Sequence, residues 1–234
     1  MSKPWYEQNP ELYSILQEDV ESVYAELHFI HRGGGVFVTG YYPLFEGSRV
    51  WDRYQVKLQV PQDSPRGILA LYEIGNRIPR KSDRHMEADG KACIVLPDAY
   101  WYEHPQGMNM LDFLNGPVRD FFVNQSLIDL GQPNVWKNGE WGHGAKGIVE
   151  FYAIILGTSE PKTILAYLGI LKRDTIKGHW PCPCGSKRRL RNCHRELINE
   201  LRIRIPKRVA AESEKRLAEK LAKSGLVFPS RHGG

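Results

Sequence analysis

Four residues with metal-binding side chains fall within one short run of this chain, Cys182-Pro-Cys184-Gly-Ser-Lys-Arg-Arg-Leu-Arg-Asn-Cys193-His194, and a fourth cysteine, Cys93, stands alone far upstream. Three thiolates and an imidazole form the soft donor set that tetrahedral zinc accepts. The one-residue gap between Cys182 and Cys184 is tight for a chelate, but Gly185 frees the backbone just behind it. No open coordination position is evident, so the expected role is a structural staple for a segment too small to fold alone. The competing reading is free or redox-active thiols. Cys93 also has two readings: a small buried side chain, or a nucleophile. It follows a polar stretch carrying His85, the kind of loop that holds functional groups. It begins a short apolar run just after Gly90, and Arg84 and Lys91 are near enough in sequence to favour a thiolate.

The elements that must position these groups follow from periodicity. Leu12, Ile15, Leu16, Val20, Val23 and Leu27 recur at spacings of three and four, predicting an amphipathic helix over 10–27 with Pro10 at its start. Residues 36–44, 51–60 and 67–74 read as strands of an antiparallel meander, the second alternating through Tyr54, Val56, Leu58 and Val60. Residues 77–90 lack either period and read as an extended loop. After an aromatic-rich loop, 110–130 reads as a helix that Pro117 bends or restarts. Residues 131–147, with Trp136, Trp141 and His143, read as loop, and helical runs follow near 148–156, 162–171, 195–204 and 209–223.

At 234 residues the chain can hold one substantial core and a small appendage. No stretch approaches the ~18–20 apolar residues that span a bilayer, and the polar N-terminus lacks a signal-peptide core, so a cytoplasmic protein with no membrane partner is expected. In a reducing compartment clustered cysteines favour a metal over disulfides. The net charge of +5 conceals an asymmetry: from Lys172 onward 17 Lys/Arg face 6 Asp/Glu, whereas the first 171 residues carry 15 against 21. A basic tail on an acidic body suits nucleic acid, an acidic protein surface, or the body itself. Tail aromatics are few, leaving little for stacking on single strands.

The run from Pro181 to Ser186, with Cys193-His194, resembles the SEC-C module, whose usual pattern is Pro-Cys-Pro-Cys-Gly-Ser-Gly-Lys followed by Cys-His or Cys-Cys. Lys187 stands where that pattern has glycine. The resemblance implies zinc on Cys182, Cys184, Cys193 and His194, and a protein-binding adaptor role; Lys187, Arg188, Arg189 and Arg191 make its surface basic, which suits an acidic partner or phosphate. The order helix, meander, polar loop with His85, then Gly90-Lys-Ala-Cys93, then helix resembles the ubiquitin-conjugating enzyme fold over about residues 10–160. Members carry His-Pro-Asn and then Gly-x-x-Cys, which maps onto His85, Gly90 and the nucleophile Cys93. Met86 and Glu87 occupy the Pro and Asn positions, and an ionised Glu87 cannot donate a hydrogen bond to an oxyanion. Asn109 and His143 are the alternative candidates, His143 also as a proton shuttle.

The expected architecture is therefore α+β, a meander sheet flanked by helices over residues 1–171, then a zinc module with basic helices over 172–234. The implied function is acyl transfer through a Cys93 thioester to or from the C-terminus of a protein partner. Among prokaryotic relatives the chain resembles the conjugating-enzyme-like component of short type II antiphage operons (CBASS), which implies a cGAS-like nucleotidyltransferase as the conjugated partner. The alternatives are a non-catalytic adaptor and nucleic-acid binding through the basic tail. The terminal Gly233-Gly234 also resembles a processed conjugation tail.

Overall fold

A computed structural model describes residues 3–132 and 141–223. The readings placed on Trp136, on residues 133–140 of the expected loop and on Gly233-Gly234 lie outside the described residues.

Asn9 accepts from the backbone N–H of Leu12 at 3.0 Å and Pro10 occupies the first turn, so the chain enters its first long helix capped and pre-set in φ. That helix, α2 (Pro10–Val23), follows a single turn, α1 (Trp5–Gln8). Leu27, which fits the helical period, instead opens a strand, β1 (Leu27–Arg32), because it also fits an alternation with Phe29. Strands β2 (Gly35–Glu46), β3 (Arg49–Val60) and β4 (Ala70–Glu73) complete an antiparallel sheet of order β1-β2-β3-β4. Its inner face alternates through Val36, Val38, Tyr42 and Leu44 on β2, Tyr54, Val56, Leu58 and Val60 on β3, and Leu71 and Glu73 on β4. The last of these is a carboxylate in an apolar series.

The sheet packs with helices, giving an α+β architecture. Helix α4 (Met110–Phe113) and helix α5 (Arg119–Asp129) are joined by a π-helical turn over Leu114–Val118. Pro117 cannot donate in an α-helical ladder, and the wider turn absorbs that loss. The Leu114 carbonyl still accepts from Arg119 N–H and from the Tyr42 hydroxyl, the latter at 2.7 Å. Phe122 stacks on Tyr54 with ring centroids 4.3 Å apart.

The described residues of Met1–Val95 and Gln106–Gly139 form one compact unit, and those of Leu96–Pro105 and Glu140–Gly234 another. The second unit is helical: α3 (Pro97–Glu103), α6 (Ala145–Leu156), α7 (Pro161–Leu171), α8 (Arg195–Arg204) and α9 (Lys207–Lys223). The charge boundary at 171/172 is thus not its packing boundary. Helix α9 packs on α7, its Val209, Ala210, Leu217 and Leu221 being buried. The aromatic stretch read as loop forms α3, pinned by the buried Asp98, whose carboxylate accepts from the hydroxyls of Tyr152, at 2.8 Å, and Ser213. Among the described residues no single helix is long and apolar enough to cross a membrane; α6 and α7 meet that test only as a pair bent by 82°.

Two stability measurements follow. Arg80 is the ion-pair partner of the buried Glu73 carboxylate, so Arg80→Met is expected to cost about 3 kcal/mol in urea unfolding, with Glu73→Gln recovering part of the loss. Burial raises the Asp98 carboxyl above its ordinary value, against the hydroxyls of Ser213 and Tyr152 and the charge of Arg216. The folded chain therefore keeps this proton to higher pH than the unfolded one. Its contribution is full below about pH 4 and is lost as pH rises through the folded-state value. Asp98→Asn is expected to flatten the decline in stability as pH rises above about 4.

Candidate functional site

The polar segment between β4 and Cys93 is held by three arginines. Arg77 meets Asp52 through two nitrogens, at 2.6 and 2.8 Å, and lies over the Tyr54 ring at 4.3 Å. Burial opposes ionisation of Asp52, but hydrogen bonds from Arg77 and Ser126 outweigh it and hold the carboxyl below its ordinary value. Arg80 donates to the side chain of Glu73 at 2.9 Å and to its carbonyl at 2.6 Å. Arg84 donates to Gln125 at 2.6 Å and Asp129 at 2.7 Å, and Gln125 donates back to the Arg84 carbonyl at 2.8 Å. A loop without periodicity thereby gains fixed attachments to β3, β4 and α5.

Residues 85–93 then fold into a tight hairpin. Met86 pairs with Ala92, Glu87 N–H donates to the Lys91 carbonyl at 2.8 Å, and Gly90 N–H donates back to the Glu87 carbonyl at 3.0 Å. The returning arm joins the sheet, since Ala92 N–H donates to Leu71 and Glu73 N–H to Gly90. Gly90 has φ +89°, and a Cβ there would lie 3.0 Å from the Glu73 carbonyl and 3.1 Å from Arg80, so the turn requires glycine.

Cys93 ends this arm. Its N–H donates to the His85 carbonyl at 2.8 Å, its side chain is exposed, and its Sγ lies 3.7 Å from Glu87 Oε1. The exposure removes the buried-thiol reading. His85 sits in the left-handed region with its side chain buried, and it is the main-chain carbonyl that meets the Cys93 backbone. The carboxylate at the position of the expected asparagine is an acceptor beside the thiol: it can take a proton and cannot stabilise an oxyanion.

The other two candidates are engaged within their own elements. Asn109 caps α4, accepting from Asp112 N–H at 2.8 Å while its amide nitrogen meets the Asp112 carboxylate. His143 belongs to the helical unit, where its carbonyl accepts from Lys146 at the entry to α6. The structure therefore brings His85, Glu87 and Cys93 together, and engages Asn109 in a cap.

In the helical unit, the ligand atoms of Cys182, Cys184, Cys193 and His194 all lie within 4.8 Å of one another. Cys182 Sγ is 3.2 Å from His194 Nδ1, and Cys184 Sγ is 3.6 Å from Cys193 Sγ. A tetrahedron with bonds of about 2.3 Å to sulfur has sulfur–sulfur edges of about 3.8 Å, so one metal ion fits this donor set. The scaffold is a short antiparallel rung. Pro181 pairs with Arg189, Cys182 N–H donates to Arg188, and Leu190 N–H donates to Trp180. As thiols the ligands are unequal. Burial lifts Cys182 to about 11; on Cys184 burial acts the same way but is outweighed by hydrogen bonds involving Ser186, and the group falls to about 6. Metal binding at neutral pH must therefore displace protons.

Lys187 has φ +60°, in the left-handed region that favours glycine. No family model matches the chain, and comparison with curated proteins and with solved structures returned no match. The cost of a non-glycine residue in this conformation makes Lys187→Gly stabilising. It is expected to raise metal-loaded stability by about 1 kcal/mol, read by thermal unfolding with and without a chelator.

Proposed function

We propose that the protein is a cysteine-dependent acyl carrier of the ubiquitin-conjugating-enzyme type, working on the C-terminus of a protein partner, with a structural zinc in its helical unit. The observation that supports this reading best is the exposed Cys93 thiol on an anchored hairpin, 3.7 Å from the Glu87 carboxylate. The α2 helix followed by a four-strand meander, and the placement of His85 and Gly90 before Cys93, support the same family. Its place in an antiphage operon, with a cGAS-like partner, is part of the proposal and rests on the sequence resemblance.

Loading is a thiol–thioester exchange. The Cys93 S–H proton passes to Glu87, and Sγ bonds to the carbonyl carbon of the partner's C-terminal thioester. The carbon–sulfur bond to the donor breaks, and the donor leaves as a thiolate that recovers the proton. One acyl–sulfur bond forms and one breaks, so no oxidant or reductant enters. In the second step Glu87 accepts the proton of the incoming nucleophile, and Cys93 departs as thiolate. Two easier steps replace one difficult transfer. The zinc reading rests on the Cys3His donor set and its spacing, and the metal stabilises the fold without a part in either step.

A glycine-ending peptide thioester is a suitable probe, read by intact mass. Native protein is expected to acquire one thiol-labile acyl group at least about tenfold faster than the denatured chain, with Glu87→Gln slowed about 10- to 100-fold. Cys93→Ser is expected to carry no thiol-labile adduct. Equal rates for native and denatured protein, or an undiminished adduct on Cys93→Ser, would overturn the assignment.

A further inference from the structure

Residues 172–195 hold eight Lys/Arg and one Asp. Lys172 is paired with Glu214, and Lys207 reaches down to Asp174 at 2.7 Å, so the single acid is already neutralised. Six exposed cations are left: Arg173, Lys177, Lys187, Arg188, Arg189 and Arg191. Among the described residues none of the six meets a carboxylate. A divalent ion on three thiolates and a neutral imidazole carries a net charge of −1, which offsets one of them.

Backbone pairing brings the segments that carry these side chains side by side. Arg191 N–H donates to the Gly178 carbonyl at 3.0 Å and Leu190 N–H to Trp180 at 2.8 Å, so the loop carrying Arg173 and Lys177 lies directly against the arm carrying Arg188, Arg189 and Arg191. Arg195 and Arg202 brace the same loop through the carbonyls of Ile176, Arg173 and Asp174, bonds that satisfy donors without cancelling charge. The loop borders an open recess of about 680 Å³ lined by Lys172, Arg173, Asp174, Thr175, Lys177 and Trp180.

We propose that this surface binds the sugar–phosphate backbone of double-stranded nucleic acid. A protein partner needs apolar anchors at the centre of an interface. Within 172–195 no large apolar side chain is exposed, and Trp180 is half-buried beneath Arg173 at 5.1 Å. A polar, strongly cationic surface with one shielded ring is the composition of a phosphate contact. It offers no platform for unstacked bases, which favours a duplex over a single strand. Phosphate contacts carry no sequence information, so no sequence preference is expected.

The test uses full-length, metal-loaded protein and fluorescence anisotropy with 24-base-pair RNA and DNA duplexes, a polyglutamate peptide and phosphatidylglycerol vesicles. Both or either duplex should bind, in preference to peptide and vesicles. Four phosphate contacts would weaken binding about a hundredfold between 50 and 200 mM salt. Lys177→Glu, Lys187→Glu and Arg189→Glu change exposed side chains that make no hydrogen bond or ion pair among the described residues. Combined, they should reduce duplex affinity at least tenfold while metal content and thermal unfolding stay unchanged. If the combined variant loses metal, the single variant Lys177→Glu, outside the chelating run, must show a smaller loss in the same direction. Salt-insensitive binding, tighter binding to peptide or vesicles, or full duplex affinity in a folded charge-reversed variant would overturn the proposal.

Discussion

The buried carboxylate of Glu73 is the constraint from which the candidate site is built. It stands where the alternation of β4 calls for an apolar side chain, and a buried charge persists only when it is paired and hydrogen-bonded. Its oxygens accept from Arg80 and from the N–H groups of Arg77 and Ile78, while its own backbone accepts from Arg80 and donates to Gly90. One residue therefore ties together the start, middle and end of the polar segment that leads to Cys93. The demand of a desolvated charge for donors is what converts a loop into a support.

The helical unit reaches order by a different route. Its knuckle has little apolar surface to bury, with Leu190 and Cys182 the fully covered side chains between residues 181 and 191. A Cys3His cluster that one metal ion fits stands where a core would, and Lys187 holds a left-handed conformation beside it. Residues 172–195 hold eight Lys/Arg and one Asp, so most of these cations have no acid nearby in sequence and remain on the surface.

Much of this was legible in the sequence where one signal dominates. The alternation of Tyr54 to Val60 and the spacing of Cys182, Cys184, Cys193 and His194 each admit few physical solutions, and the sheet and the ligand cluster follow. Strand β1 was hidden because Leu27 satisfies two periods at once, and only pairing with Gly40 selects the extended one. Helix α3 was hidden because Asp98 looks like a surface residue until Tyr152 and Ser213, distant in sequence, supply its donors. Glu73 was invisible for the same reason: its worth depends on Arg80 and Gly90 arriving in space. The contact between Glu87 and Cys93 could have been read from the hairpin register, since Met86 opposite Ala92 places residues 87 and 93 on one side of the turn.

Residue-resolved amide hydrogen exchange on the native protein tests the central claim most directly, that Glu73 makes the segment before Cys93 a rigid support. The account predicts that the N–H groups of Glu73, Ala92 and Cys93, each donating to a main-chain carbonyl, exchange as slowly as those in the centre of β3. Exchange of Ala92 and Cys93 at the rate of an open loop, with β3 still protected, would contradict it.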